Sequence, residues 1–316
     1  MEEVKVSVII PVYGVERYIE RSVRSLMEQT MRSAIEFIFV DDHTPDRSID
    51  ILRKTLEDYP ERQSQVTILT HRENKGLAAT RKTGVRAARG EYIIHCDSDD
   101  WVEPEICSLM YEQAKRIDSD IVVCDYIVER ENSSVAVTQH FNPVKRNQLI
   151  DLLESRLHCM VWIRMFRRSF YMTFGMDVPD INNSEDFPVS FLAHALCSKV
   201  SYLSQPLYHY NRLNPNAISV SALRKNYDDT VKMYCYLIDF VNSQPEDKDV
   251  RVALNRQLSR CRNKMLRFKE IHDMTRWRNL WPELGVDDCV NFRSKILVLL
   301  AQLRLDFILR IFLKQR

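Results

Sequence analysis

No C-x-x-C pair, no run approaching ~20 uninterrupted apolar residues, no low-complexity linker and no internal repeat occurs in these 316 residues. The eight cysteines (Cys96, Cys107, Cys124, Cys159, Cys197, Cys235, Cys261 and Cys289) fall mostly within apolar runs. They lack the paired spacing of a structural zinc site, and a chain this long does not need a disulfide framework. They read as free buried thiols in a reducing compartment. The missing apolar run excludes a membrane-spanning helix. Met1-Glu2-Glu3 has neither the basic opening nor the apolar stretch of a signal peptide, so a cytoplasmic protein is expected.

An excess of one charge is also absent. Lys and Arg number 45 against 44 Asp and Glu, a formal net charge of +1, which gives no overall pull toward nucleic acid. The balance hides an asymmetry, because the last third is richer in Arg and Lys. No G-x-G-x-x-G follows the first apolar strand, which disfavours a dinucleotide enzyme.

What is present is an ordinary globular composition, 45% apolar and 28% charged, long enough for one large domain or two modest ones. The first 125 residues alternate short β-branched runs (6–10, 36–40, 66–69, 91–95, 121–124) with amphipathic segments (17–29, 48–59, 76–88, 104–118). Such alternation predicts right-handed crossovers and a mostly parallel sheet covered on both faces, an α/β fold. Ligands bind such sheets beyond the carboxyl ends of the strands. Four sequences therefore gather on one edge: Pro11-Val12-Tyr13-Gly14, Asp41-Asp42-His43-Thr44, Thr70 to Asn74, and Cys96-Asp97-Ser98-Asp99-Asp100. Further on, strands are expected at 135–140, 160–166 and 199–203, and helices at 148–158 and 187–197. From about residue 222 the chain reads as helical, polar and basic. The expected division is 1–220, with halves 1–125 and 126–220, followed by a C-terminal helical region 221–316.

The acidic cluster is where chemistry concentrates. Asp97, Asp99 and Asp100 repel one another, and a divalent cation with oxygen ligands, Mg²⁺ or Mn²⁺, resolves the conflict. The same residues before Trp101-Val102-Glu103-Pro104 would also cap a helix. Asp41 and Asp42 form a second acidic pair that can read a nucleobase N–H or cap the helix at Ser48. Asn74-Lys75-Gly76 and Arg81 supply a third piece, either a phosphate-reaching fork of donors or a solvated helix face. Glu185-Asp186 is either a helix cap or a pair of acids.

Several of these segments together resemble glycosyltransferase family 2, inverting enzymes with the GT-A fold. They are Val8 to Tyr13, Val40-Asp41-Asp42, Asn74 to Arg81, and Gly90-Glu91-Tyr92-Ile93 through Asp97-Ser98-Asp99-Asp100. A looser similarity to acceptor-side segments of bacterial capsule and lipopolysaccharide members continues through Val161-Trp162, Ser184-Glu185-Asp186-Phe187 and Leu207-Tyr208-His209-Tyr210. The resemblance implies transfer of a sugar from a UDP-sugar to a hydroxyl of a saccharide or lipid-linked saccharide, with inversion. It implies that Pro11, Val12 and Tyr13 line the uracil and ribose pocket and that Asp41 or Asp42 reads the uracil. Asn74 and Arg81 would lie at the diphosphate, Asp97 and Ser98 at the ribose, and Asp99 with Asp97 on the metal. Asp186 would be the base, with Glu185 orienting it or the acceptor. His209 is a candidate third metal ligand or a packed histidine, and Trp162 a core or sugar-stacking residue. The sequence departs from the family at Gly14, usually Asn, which predicts a looser loop, and at His43-Thr44-Pro45.

Two rivals remain at this point: a non-catalytic nucleotide-sugar-binding or scaffold subunit, and a sugar nucleotidylyltransferase. The second normally has a Gly-rich first loop, which Pro11 to Gly14 is not. Residues 292–316 repeat apolar side chains among Arg293, Lys295, Arg304, Arg310, Lys314 and Arg316. Such a basic amphipathic helix suits peripheral contact with an anionic membrane, or packing on its own domain or in a homo-oligomer.

Overall fold

The computed structural model describes residues 3–181, 184–215, 223–268, 271–305 and 308. Strands β1 (Val6–Val12), β2 (Ile35–Asp41), β3 (Val66–Thr70) and β4 (Tyr92–His95) are parallel and lie in the order β3-β2-β1-β4. Every residue of β1 and β2 is buried, as expected of β-branched runs covered on both faces. The register sets Val12 beside Asp41, Asp41 beside Thr70 and Ile9 beside His95, so the four strand ends share one edge.

Helices α1 (Ile19–Met27), α2 (Ser48–Leu56) and α3 (Leu77–Ala87) connect these strands. Gly84 lets α3 settle close on the sheet: a Cβ there would lie 2.4 Å from Ile9 Cγ2. That approach fixes Arg81, one turn earlier on the same helix.

Beyond β4 the expectation of a mostly parallel sheet fails. After β5 (Trp101–Val102) and α4 (Ile106–Ile117), the long β6 (Ile121–Arg130) carries β7 (Ser133–Val137) as a hairpin partner. Helix α5 (Lys145–Leu153) leads to β8 (Arg164–Arg167), which inserts antiparallel between β4 and β6. Residues 160–166 are not one strand, because 161–163 form a 3₁₀ turn. Arg164 folds that turn back by donating to the carbonyls of His158 and Met160.

Short α6 (Arg168–Tyr171) and α7 (Asp186–Leu196) precede β9 (Val200–Asn211), parallel to β6 and antiparallel to β5. β9 runs well past the expected residue 203. Register shifts around Asp125 let it continue through Pro206, which has no N–H for the ladder. Helices α8 (Leu223–Ser243), α9 (Lys248–Arg267), α10 (Met274–Asn279) and α11 (Phe292–Gln302) follow. The amphipathic stretch expected over 292–316 is helical through 302; residues 306, 307 and 309–316 lie outside the described residues. Among the described residues no helix is long and apolar enough to cross a membrane.

Candidate active site

The edge where β1, β2, β3 and β4 end is built from loops that are stitched together. Gly14 has φ +66°, in the left-handed region glycine favours, and its N–H donates to Thr44 Oγ1 at 2.9 Å. The N–H of Val15 donates to Ser48 Oγ and that of Glu16 to Asp46 Oδ2. The loop after β1 is therefore held to the loop after β2, not loosened by Gly14. Pro11 and Val12 are buried in β1, whereas Tyr13 is 50% exposed, so its ring is the open face of that triplet.

The two aspartates at the end of β2 have different work. Asp42 is buried, and its Oδ1 accepts from the Lys75 N–H at 2.8 Å and meets His71 Nδ1 at 2.7 Å. Its Oδ2 accepts from the Gly76 N–H at 2.8 Å. Asp42 thereby shapes the turn that starts α3, while Asn74 stands exposed on that turn. Asp41 Oδ1 accepts from the Thr44 N–H at 2.8 Å.

The acidic turn after β4 divides similarly. Asp100 is buried; Oδ2 accepts from the Tyr208 hydroxyl at 2.8 Å and Oδ1 from the Asn211 N–H at 2.7 Å. The Tyr208 oxygen also accepts from the Asp97 N–H at 3.0 Å. Asp100 and Tyr208 thus clamp the turn to β9, and Ser98 is buried within it. Asp99 Oδ2 accepts from Asn214 Nδ2 at 2.8 Å. Burial first, and the charge of Asp97 second, push the Asp99 carboxyl up to about 6.

Arg81 joins this turn to a distant acidic pair. The side chain is buried, not on a solvated helix face. Nη2 donates to Asp97 Oδ1 at 2.6 Å; Nη1 donates to Glu185 Oε1 at 2.5 Å and Asp186 Oδ1 at 2.7 Å. Burial works against the cation, and Asp97, Asp186 and Glu185 more than offset it. Burial and the neighbouring Asp186 push Glu185 up to about 8, with Arg81 opposing; Asp186 is raised for the same first reason. Glu185 and Asp186 open α7, but neither side chain caps it.

His209 points away from this cluster. Successive residues of a strand face opposite sides, and Tyr208 takes the side of the acidic turn. The His209 ring stacks on Trp101 with centroids 5.1 Å apart, Nδ1 lies 2.7 Å from Glu129 and Nε2 2.9 Å from Glu103. Trp162 is buried and stacks on Tyr208 at 4.2 Å, so it supports the clamp from inside. Tyr208, Asn211 and Asn214 are the site residues that sequence reasoning missed as such. Period-2 alternation along β9 marks Tyr208; Asn211 and Asn214 carry no comparable signal.

Among the described residues no three His, Cys, Asp or Glu side chains gather as a ready metal cage. The donor set nevertheless fits a hard cation that keeps waters and substrate oxygens. Asp97 and Asp99 each have one carboxylate oxygen engaged in the bonds above, and their repulsion is what a cation relieves.

The model of the family described as Glycosyl transferase family 2 matches residues 7–175. EpsH of Bacillus subtilis (strain 168), named as a glycosyltransferase, is 32% identical over 294 residues, 90% of this chain and 80% of EpsH. Residues 1–349 of Staphylococcus aureus TarS, solved with UDP-GlcNAc, superpose with a TM-score of 0.76 at 18% identity, covering 98% of this chain and 90% of that one. A mannosyltransferase of Pyrobaculum calidifontis, solved with GDP-Man and Mn²⁺, gives a TM-score of 0.57 at 17% identity over 98% and 83%.

Proposed function

Because the chain belongs to glycosyl transferase family 2, and is therefore a glycosyltransferase, we propose that it transfers a sugar from a UDP-sugar to a hydroxyl acceptor with inversion. The acceptor is a saccharide or lipid-linked saccharide of the cell surface. The observation that carries this reading is the Arg81 junction, which sets the Asp97 end of the acidic turn beside Glu185 and Asp186. Leaving-group end and base end then lie on either side of one guanidinium.

In this reading Asp186 takes the proton of the acceptor hydroxyl as its oxygen bonds to the anomeric carbon. The bond from that carbon to the diphosphate oxygen breaks with its electron pair, and UDP departs. A Mg²⁺ or Mn²⁺ held by Asp97 and Asp99 would neutralise charge on the departing diphosphate. Arg81 keeps the two acidic groups in register and lowers their mutual repulsion. Asp41 is the better reader of the base, since both Asp42 oxygens already accept from the chain. Tyr13 offers a ring to the nucleoside. The UDP-GlcNAc bound by TarS and the Mn²⁺ and GDP-Man bound by the mannosyltransferase support a nucleotide-sugar and a cation of this kind. The exposed, basic-flanked face of α11 supports a peripheral membrane position, where a lipid-linked acceptor would be met.

The test is nucleotide release from UDP-GlcNAc, UDP-glucose, UDP-galactose and GDP-mannose, with and without Mn²⁺. At least one UDP-sugar should be turned over, and chelation should abolish it. Asp99→Ala should lose both turnover and metal-dependent UDP binding. Asp186→Asn should bind UDP normally and lose roughly 10²-fold or more in rate. Wild-type turnover by Asp186→Asn would place the base elsewhere; UDP binding with no turnover of any donor would favour a scaffold subunit.

A further inference from the structure

The chain that leaves β9 bends back onto the acidic turn and ends on the side chain of Asp99. Asn211, the last residue of β9, is buried. Its N–H donates to Asp100 Oδ1 at 2.7 Å and its Nδ2 to Asp99 O at 3.0 Å. Its Oδ1 accepts from the Leu213 N–H at 3.0 Å, the two-residue reach of an Asx turn. The Tyr18 hydroxyl donates to Leu213 O at 3.3 Å and ties the bend to the start of α1. Asn214, itself buried, then donates from Nδ2 to Asp99 Oδ2 at 2.8 Å.

The two asparagines do different things. Asn211 holds a backbone carbonyl of the turn and the buried Asp100, as a structural strap must. With Tyr208 it already clamps the turn, so the architecture does not need the Asp99 carboxylate held as well. A carboxylate only accepts, and the Asn214 amide therefore presents its nitrogen to it. That amide brings no charge. A lysine or arginine in its place would neutralise Asp99 and compete with a bound cation, whereas a neutral donor fixes one oxygen and leaves the negative charge standing. Asp97 shows the contrast: its Oδ1 accepts from the Arg81 guanidinium at 2.6 Å, so a cation of the chain already shares its charge.

We propose that Asn214 is a positioning residue for Asp99. By holding Oδ2 it fixes the carboxylate before any cation arrives and leaves Oδ1 as the oxygen that takes the metal. This rests on the reading of Asp99 as a ligand of the divalent cation. Asn214 acts through Asp99 and not on the reacting atoms, so its loss should be felt as a weaker hold on the metal and not as a lost chemical step.

The experiment compares Asn214→Ala, Asn214→Ser, Leu213→Ala and Asp99→Ala with wild type in the full chain. Mn²⁺ binding in the presence of UDP is read from the loss of the free-ion EPR signal. UDP release is followed with whichever UDP-sugar of the panel is turned over. Asn214→Ala should bind Mn²⁺ roughly 10-fold more weakly and need correspondingly more Mn²⁺ for half-maximal rate. Its kcat at saturating Mn²⁺ should return to within about twofold of wild type, a recovery that damage to the fold would not show. Asn214→Ser stays polar but is too short to reach Asp99, and should behave alike. Leu213→Ala changes only an exposed side chain on the same bend and should match wild type. Wild-type Mn²⁺ affinity in Asn214→Ala overturns the proposal, as does a rate that excess Mn²⁺ fails to restore or an equal loss in Leu213→Ala. Should the alanine variant not fold, wild-type Mn²⁺ affinity in Asn214→Ser overturns it equally. If Asp99→Ala itself binds Mn²⁺ as wild type does, the ligand assignment has failed; if it loses the metal while the Asn214 variants are unchanged, only the positioning role has.

Discussion

At the residue scale the site is a problem of three carboxylates sharing one guanidinium. Asp97, Glu185 and Asp186 all reach Arg81, and burial strips water from the group. Burial first, and the charge of Asp186 second, push Glu185 up to about 8, with Arg81 opposing. The sign follows directly. Below the ordinary Glu range near 4.5 both folded and unfolded chains hold the Glu185 proton, and folding is not penalised. As pH rises toward 8 the folded chain must release a proton that the unfolded chain has already lost, so this group's contribution to stability declines over that window. A base must be ionised to act, so turnover should climb with pH on the acid side, with a limb above the usual carboxylate range. Glu185→Gln keeps a neutral side chain that can donate to Asp186, as the protonated Glu185 does below about 8. Its acid limb in kcat/KM should therefore stay near the wild-type position, while its stability should fall less between pH 5 and 8. A stability slope equal to that of the wild type would show that Glu185 does not carry the raised proton.

At the element scale the first half of the chain was legible because short β-branched runs and 3.6-period segments alternate without interruption. Val6 to Val12 and Ile35 to Asp41 could hardly be anything but strands buried on both faces. The second half was less so, because its elements depend on partners distant in sequence. β8 is four residues that begin with a buried arginine, and the extension of β9 through Pro206 needs a bulge opposite Asp125. The same divide runs through the site. The acidic residues were visible as types after strand ends, but their separate jobs were not. Asp100 and Asp42 look like their neighbours in sequence, and only Tyr208, Asn211, His71 and the 75–76 amides turn them into clamps.

Helix α3 shows how an element carries a residue to its task. Its Gly84 touches β1 so closely that Gly84→Ala must displace Ile9 in a fully buried strand. Overpacking of this kind costs ~1–3 kcal/mol, more than the up to ~1 kcal/mol that Ala gains over Gly in a helix. Gly84→Ala should therefore lower Tm by a few degrees and, by lifting the helix, weaken turnover. Gly285→Ala is the control: nothing lies within 4 Å of its added Cβ, and Tm should hold. Equal Tm values for the two variants would contradict the tight seating of α3.

At the scale of the whole molecule, a net charge of +1 conceals one strongly one-sided surface. Helix α11 buries Ser294, Leu297, Val298 and Ala301 against the protein. Its outer side exposes Phe292 at 77%, Leu299 at 47% and Leu303 at 60%, with Arg293, Lys295 and Arg304 around them. Three large apolar side chains in water are a liability, each worth ~1.5–3 kcal/mol if buried, and each basic neighbour adds ~1 kcal/mol at an anionic surface. Charge separates the two candidate covers. A second copy would bring like charges together around the patch, whereas an anionic bilayer would neutralise them. The full chain should therefore co-float with vesicles containing phosphatidylglycerol, bind phosphatidylcholine vesicles weakly, and lose much of its binding at high salt. A triple variant, Phe292→Ser with Leu299→Ser and Leu303→Ser, alters only exposed positions. It should stay folded, release UDP from free donor at the wild-type rate, and remain in the unbound fraction. Co-flotation unchanged by the triple variant would remove the membrane from this face, and a mass that doubles with concentration only in the wild type would assign the face to a second copy instead.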